Sequence, residues 1–395
     1  MLHDKELKRI RELYHEWLVQ VRRHLHQHPE LSDGEYETQK FIMDKLTEMG
    51  VEHYAIARTG VVGLIRGQEG GNTVALRADI DALPIQDDKD VPYRSQNPGV
   101  AHACGHDAHT AIALGVARYF SERRDQFRGN IKLLFQPAEE SVGGAQRMVQ
   151  EGCMENPKVD YVIGKHVMAY MDVGNVEVKF NKLNASTDGI KITVQGKAGH
   201  GAYPETGVDA ILAAAAVVQG VHSIVSRNVS PLESVVISLG TVNGGTKGNI
   251  ICDEVVLQGT LRTVNEAVRA KAKERLTRMV EDVAAAYGAV GKVEITPGYD
   301  ALINNDDVVA VIKEVAEAEL GADKVRIKEH PSMGAEDFSF FLNEAPGAFY
   351  HLGCGNRERG ITAGAHSKDF DVDEDCLSLG MFLDICIIEK LLQRR

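Results

Sequence analysis

The sequence predicts an α/β protein: a mixed, largely parallel sheet flanked by helices, with an inserted ferredoxin-like α+β satellite domain. Three observations carry this reading. Before about residue 186, short apolar runs without alternation are separated by helical stretches, and continuity rather than alternation marks strands covered on both faces. Between 186 and 298 the order becomes β-α-β-β-α-β, the split ferredoxin-like motif. After 299 the first pattern resumes, so the flanking segments form one domain and the middle is an insertion at a surface loop.

The elements follow in order. Residues 5–20 read as a helix because Leu7, Ile10, Tyr14 and Leu18 recur at spacings of three and four. A second helix is expected over 34–49, stopped by Gly50. Strands are expected at 61–65, 73–77, 131–136 and 161–164, with helices at 109–121 and 142–151. The satellite pattern is strand 189–194, helix 208–225, strands 235–241 and 254–262, helix 266–287 and strand 292–297. The alanines at 213–216 favour helix and permit close packing. The last segment holds helix 306–318, strands 324–327 and 348–352, and helix 373–392. The expected division is catalytic 1–185, satellite (lid or dimerisation) 186–298, and catalytic 299–395.

Composition bounds the function. A chain of 395 residues can bury one large core and a smaller one. The formal net charge is -13 and no basic block appears, which argues against nucleic acid and anionic membranes as partners. The start, MLHDKELKRIRELYHEW, lacks the apolar core of a signal peptide, and the longest apolar run, near 210–218, is below membrane-spanning length. Six widely spaced cysteines in a chain too large to need staples read as free thiols in a reducing compartment, hence a cytoplasmic location.

The chemistry concentrates in a few segments. In HACGHDAHT (102–110), Cys104 and His106 flank a glycine, so a thiolate and an imidazole can converge on one ion. His102 and His109 are further ligand candidates, and Asp107 is a candidate to orient an imidazole. In QPAEE (136–140), adjacent Glu139 and Glu140 point different ways, so one can bind metal while the other accepts a proton. Asp79 and Asp81 follow a strand and read as ligands, imidazole acceptors or a helix cap. His166 follows the strand YVIG, and His366 sits in the Gly-rich loop GAHSKDF. Asp79, Asp81, Glu139, Glu140 and His166 all fall near the C-terminal ends of expected parallel strands, where open α/β sheets gather ligands. Together with Cys104, His106 and His366 they exceed one tetrahedral ion, so two metals sharing a ligand fit better.

The stretches RADIDALPI, HACGHDAHT, QPAEE, GKAGHGAYPETGVDAI and GAHSKDF, in that order, resemble the M20 metallopeptidases. The likeness is to the amidohydrolase branch of N-acyl-amino-acid (aminoacylase-like), hippurate and auxin-conjugate hydrolases, and runs from about His26 to the C-terminal helix. The resemblance implies that Cys104, His106, Glu140, His166 and His366 are metal ligands, Glu139 the general base, and Asp81 an orienting carboxylate. It implies that His200 reaches an active site, in some members that of the partner subunit of a dimer, and that Asn249 and Arg262 recognise a substrate carboxylate. Cys252, Glu205 and Ala169 depart from residues common in the branch, outside the ligand set. The expected reaction is hydrolysis of an N-acyl amino acid (N-acetyl, N-benzoyl or similar) by a metal-activated water with Glu139 as base. Arg262 would hold the product carboxylate and closure of the two domains would exclude water. The cofactor is two divalent ions per subunit, zinc on ligand chemistry, with manganese, cobalt and nickel left open by the resemblance. The expected assembly is a homodimer or homotetramer through the satellite domain. Competing readings are a dipeptidase or aminopeptidase on the same scaffold, and a deacetylase of an intermediate such as N-acetyl-diaminopimelate.

Overall fold

The computed structural model describes residues 3–141 and 143–394, with side chains from residue 6 onward. It divides into two compact units. Unit 1 comprises Met1–Leu183, Ile303–His330 and Asp337–Arg395; unit 2 comprises Asn184–Leu302 and Pro331–Glu336. The short strap at 331–336 belongs to unit 2 although it lies well beyond the insertion in sequence.

Unit 1 begins with α1 (His3–Gln27) and α2 (Tyr36–Glu48), followed by β1 (Glu52–Ile56), β2 (Gly60–Arg66) and β3 (Gln68–Asp79). Then come α3 (His106–Ser121), β4 (Arg128–Gln136), α4 (Gly144–Gln150), β5 (Tyr161–Asp172) and β6 (Val176–Val178). Position 142, included in the expected helix that α4 fulfils, lies outside the described residues, as do the first two residues of the amino-terminal stretch. Strands β7 (Lys182–Asn184) and β14 (Leu302–Ile303) straddle the unit boundaries. The chain returns through α7 (Asp306–Leu320), β15 (Val325–Ile327), α8 (Ser339–Leu342), β16 (Gly347–Gly355) and α9 (Asp375–Leu392).

The eight-stranded sheet has the order β1-β2-β4-β3-β5-β16-β6-β15. Its centre is parallel: β3 pairs with β4 and β5, and β5 with β16. The antiparallel pairs β1–β2 and β2–β4 lie toward one edge, and β6 runs against β16. Every residue of β16 is buried, as are 60–65 of β2, which explains why these strands read as unbroken apolar runs. β1 escaped the sequence reading because it is a short edge strand, EHYAI, with a mostly exposed pattern.

Helix α1 runs seven residues beyond its expected end at 20. The apolar stripe Ile10, Tyr14, Leu18, Val21 and Leu25 continues through the added turns, but Arg22 and His26 are also fully buried there. Arg22 donates to Asp107 and Asp371, both at 2.7 Å, and His26 sits between Asp107 (2.7 Å) and Asp87 (3.2 Å). Buried charges in a helix look like a solvated end until carboxylates from distant segments are in place.

Unit 2 contains β8 (Ser186–Gln195), β9 (Gly199–His200), α5 (Ala210–Arg227), β10 (Val235–Gly244), β11 (Ile250–Ile251), β12 (Glu254–Thr263), α6 (Glu266–Ala286) and β13 (Val290–Pro297). Its four-stranded antiparallel sheet has the order β10-β12-β8-β13, the ferredoxin-like arrangement. Asp209 caps α5 by accepting from the amides of Ile211 (2.9 Å) and Leu212 (3.1 Å). Ala213, Ala214, Val217, Val221 and Ile224 form its buried stripe, in a core with Ile192, Leu257, Leu276 and Val280. Among the described residues α5 is the one helix with the length and apolarity of a membrane span.

Candidate metal centre

The C-x-H segment is held rigidly, and the glycine between its two candidate ligands is required twice over. Gly105 has φ +94, the left-handed region, and an added Cβ would lie 2.3 Å from Val167 Cγ2. Cys104 therefore precedes α3 and His106 opens it, with both side chains buried in unit 1. Sγ of Cys104 is 3.2 Å from Nε2 of His166 and 3.5 Å from Nε2 of His366. His366 (φ +63) is pinned by its amide, which donates to the Ala103 carbonyl at 2.7 Å. His166 lies inside β5 rather than beyond its end, but past the last β3-paired residue, Ile163.

The imidazoles are turned by their neighbours. His106 Nδ1 faces Asp81, 3.0 Å from its carbonyl and 3.1 Å from Oδ1. His166 Nδ1 donates to the Val167 carbonyl at 2.7 Å. Each Nε2 is thereby left facing the common pocket. Asp81 does more than orient His106, because its Oδ2 accepts from Ser32 Oγ (2.7 Å) and from the Glu140 amide (3.0 Å).

Glu139 and Glu140 follow β4 in a turn where Ala138 takes φ +53. Carboxylate oxygens of both glutamates and a ring nitrogen of His106 all lie within 4.8 Å of one another. Glu140 also groups with Cys104 and His366, and its Oε1 is 3.2 Å from His366 Nε2. The groups Cys104–His106–His166 and Cys104–Glu140–His366 share the thiol.

Electrostatics reflect burial. Burial pushes the Cys104 thiol well above its ordinary range. Burial alone would lower His106, but Asp79, Asp81 and Cys104 outweigh it and raise it well above 6.5. Burial and the neighbouring His109 pull His166 well down, while a hydrogen bond to Glu140 raises His366. His106 Nε2 is buried without a hydrogen-bond partner, beside the Glu140 carboxylate that faces His366. A thiol, imidazoles and carboxylates converging in one buried pocket fit a divalent cation.

The partners of the other candidates are as follows. His109 is not available as a ligand: its Nδ1 donates to Asp79 at 2.5 Å and its Nε2 accepts the Val167 amide at 2.9 Å. Asp79 is correspondingly an imidazole acceptor, also bound by Arg77. Asp107 orients His26, which is not near the ligand set in any metal-sized group. His102 is fully buried with neither ring nitrogen partnered, and burial lowers it to about 4.

The remaining site candidates lie in unit 2. β9 pairs with β11 so that His200 is opposite Ile250, and Gly201 donates to the Asn249 carbonyl at 2.9 Å, which brings His200 and Asn249 together. His200 is exposed, and its Nδ1 accepts the Ala202 amide at 3.1 Å, so Nε2 carries the proton. Arg262, on β12, donates to the Met333 carbonyl in the strap at 3.0 Å. Glu35 and Ser32 carry no local signal in the sequence, since each is a single polar residue whose partners are distant.

Residues 75–383 match peptidase family M20/M25/M40. The chain belongs to that family. It is a metal-dependent hydrolase of amide bonds. It is 39% identical to thermostable carboxypeptidase 1 of Saccharolobus solfataricus, over 96% of this chain and 96% of that one. It is 40% identical to N-acetyl-L-cysteine deacetylase of Bacillus subtilis, over 91% of this chain and 84% of that one. Among solved structures, a dinuclear metal-binding M20 peptidase of Bacillus subtilis superposes with a TM-score of 0.84 at 32% identity, covering 97% of this chain and 99% of that one.

Proposed function

We propose that the enzyme cleaves the N-acyl amide bond of N-acyl amino acids, with Glu139 as general base. The observation that carries this is the paired turn: Glu139 and Glu140 share one group with His106, yet only Glu140 also groups with Cys104 and His366. Cys104, His106, Glu140, His166 and His366 would hold two divalent ions, zinc on donor chemistry. The ions supply Lewis acidity and a water of lowered pKa. Glu139 takes the proton of the attacking water and passes it to the leaving amine. Asp81 keeps His106 turned and the Glu140 peptide in place. His200 donates from Nε2 to the carbonyl oxygen as charge develops, in its own subunit's site or its partner's. Asn249 and Arg262 receive the carboxylate of the amino-acid portion. Exposed Ile211, Leu212 and Val242 favour unit 2 as the subunit contact of a homodimer or homotetramer, and six free thiols favour the cytoplasm.

The relatives named as a deacetylase and a carboxypeptidase would both release an amino acid with a free carboxylate, and this supports the carboxylate subsite. They differ in what lies on the acyl side, so cleavage of a carboxy-terminal peptide bond is the second reading. The test is a panel of N-acetyl and N-benzoyl amino acids, dipeptides and longer peptides, run on the wild type and on Glu139→Gln. We expect N-acyl amino acids to be turned over fastest. Glu139→Gln should lose about 10²–10⁴-fold in kcat while keeping its metal. Substantial turnover by the metal-loaded variant would defeat the assignment of the base.

A further inference from the structure

Glu35 sits at the start of α2, 103 residues before the turn that carries Glu139, and is completely buried. Each of its carboxylate oxygens is used by a different distant group. Oε1 accepts the Ala138 amide at 2.9 Å, and Oε2 accepts the hydroxyl of Thr59, itself fully buried, at 2.6 Å.

Ala138 needs that support. Its φ of +53 is left-handed, which costs a residue with a Cβ roughly 1–2 kcal/mol. Alanine has no polar side chain to compensate locally, as asparagine or aspartate would. Its carbonyl accepts the amides of Gly143 (3.1 Å) and Gly144 (3.3 Å), so the peptides on both sides of residue 138 are held. The turn has no room to relax, because a Cβ on Gly144 would lie 1.8 Å from the Pro137 carbonyl oxygen. Glu139 is the next residue. The same stretch of chain holds the far side of the pair: Ser32 donates to Asp81, and Asp81 accepts the Glu140 amide.

We propose that Glu35 is a positioning residue for the reaction: anchored by Thr59, it keeps the Ala138 peptide left-handed and so aims the Glu139 carboxylate at the attacking water while Glu140 is directed to the ions. The proposal rests on Glu139 being the base. It assigns a kinetic role to a carboxylate that touches neither substrate nor metal.

The test uses the metal-loaded enzyme and the variants Glu35→Ala, Glu35→Gln and Glu35→Ala/Ala138→Gly. Glu35→Ala should lower kcat about 10- to 100-fold, the effect of one lost buried hydrogen-bond acceptor. KM and the metal-to-protein ratio, read by native mass spectrometry, should stay within about twofold. Glu35→Gln keeps an acceptor for the Ala138 amide and should retain most of kcat. Adding Ala138→Gly removes the Cβ penalty of the left-handed state and should restore about threefold or more of the loss. Full kcat in folded Glu35→Ala overturns the proposal, as does a loss that follows metal content or that Ala138→Gly leaves unchanged. Should Glu35→Ala fail to fold, Thr59→Val replaces it: a fall in kcat recovered by Ala138→Gly supports the role, and an unchanged kcat overturns it. Glu139→Gln run in parallel separates the two readings. An active Glu139→Gln sinks the base, whereas an inactive Glu139→Gln beside a fully active Glu35→Ala sinks only the role of Glu35.

Discussion

Two clusters of imidazole and carboxylate lie side by side in unit 1, and they differ in what they leave unused. Around His109, every ring nitrogen is engaged: Asp79 and the Val167 amide take both. Arg77 then ties Asp79 to Gln136 (2.7 Å) and Asp337 (3.1 Å). Around Cys104, the inward-facing His106 Nε2 makes no hydrogen bond, and Glu140 Oε1 faces the His366 ring nitrogen at 3.2 Å. Both clusters contain metal-sized groups of donors, so proximity does not separate them. Satisfaction does, because a buried polar atom without a partner costs about 1–3 kcal/mol and a ligand can remove that cost.

Breaking the two clusters should therefore have opposite signatures. The largest effect on metal is expected from Cys104→Ala or His106→Ala. Chelator competition should show affinity reduced by at least about 100-fold, beyond what loss of an outer partner causes. His109→Ala should do the reverse. It leaves the Asp79 carboxylate and the Val167 amide each short of a hydrogen-bond partner, at about 1–3 kcal/mol of stability by denaturant unfolding, while the metal-to-protein ratio is kept. If His109→Ala loses metal and keeps stability, the contrast between the clusters is wrong.

The unsatisfied cluster should also be sensitive to pH. Burial keeps the Cys104 thiol protonated, and the carboxylates beside His106 keep that ring protonated above its ordinary range. An entering cation must displace those protons, so affinity should rise with pH by about tenfold per unit for each proton released. Calorimetric titration in buffers of different ionisation enthalpy counts them, and a pH-independent affinity would contradict the assigned protonation.

A third cluster, on β6 and β16, gives the smallest expected effect. Burial pushes Glu177 up, but hydrogen bonds from His351, Tyr170 and Lys328 outweigh this and hold it at about 2. A carboxyl lowered in the fold adds stability that is fully present above its ordinary value of 4.5 and is lost as pH falls toward 2. Glu177→Gln should therefore show a shallower fall in Tm across that range than the wild type.

The sequence carried the sheet and the insertion well because unbroken apolar runs and the β-α-β-β-α-β order are local signals. The ligand candidates were legible for a similar reason: Cys104 and His106, Glu139 and Glu140 sit in short segments at strand ends or helix starts. What was not legible is long-range. The helix expected over 5–20 stops short of Arg22, whose partners Asp107 and Asp371 are 85 and 349 residues away. The glycine between Cys104 and His106 was visible, but its left-handed φ and its close packing on Val167 were not. His109 stood as a further ligand candidate beside His106, since nothing local reveals that Asp79 and a backbone amide engage it.

The spacing of Cys104 and His366 has a consequence during synthesis. The two side chains meet across 262 residues of chain. At about 5–20 residues per second, the thiol waits on the order of 10–50 s after it is made before its last neighbour exists. Through that interval the pocket lacks a donor and the sheet lacks β16, so a newly made chain offers only a partial, weaker cage for metal. Ligation by His366 would restrict full-strength loading to chains that have been finished and folded, and metal content would become a record of completed assembly.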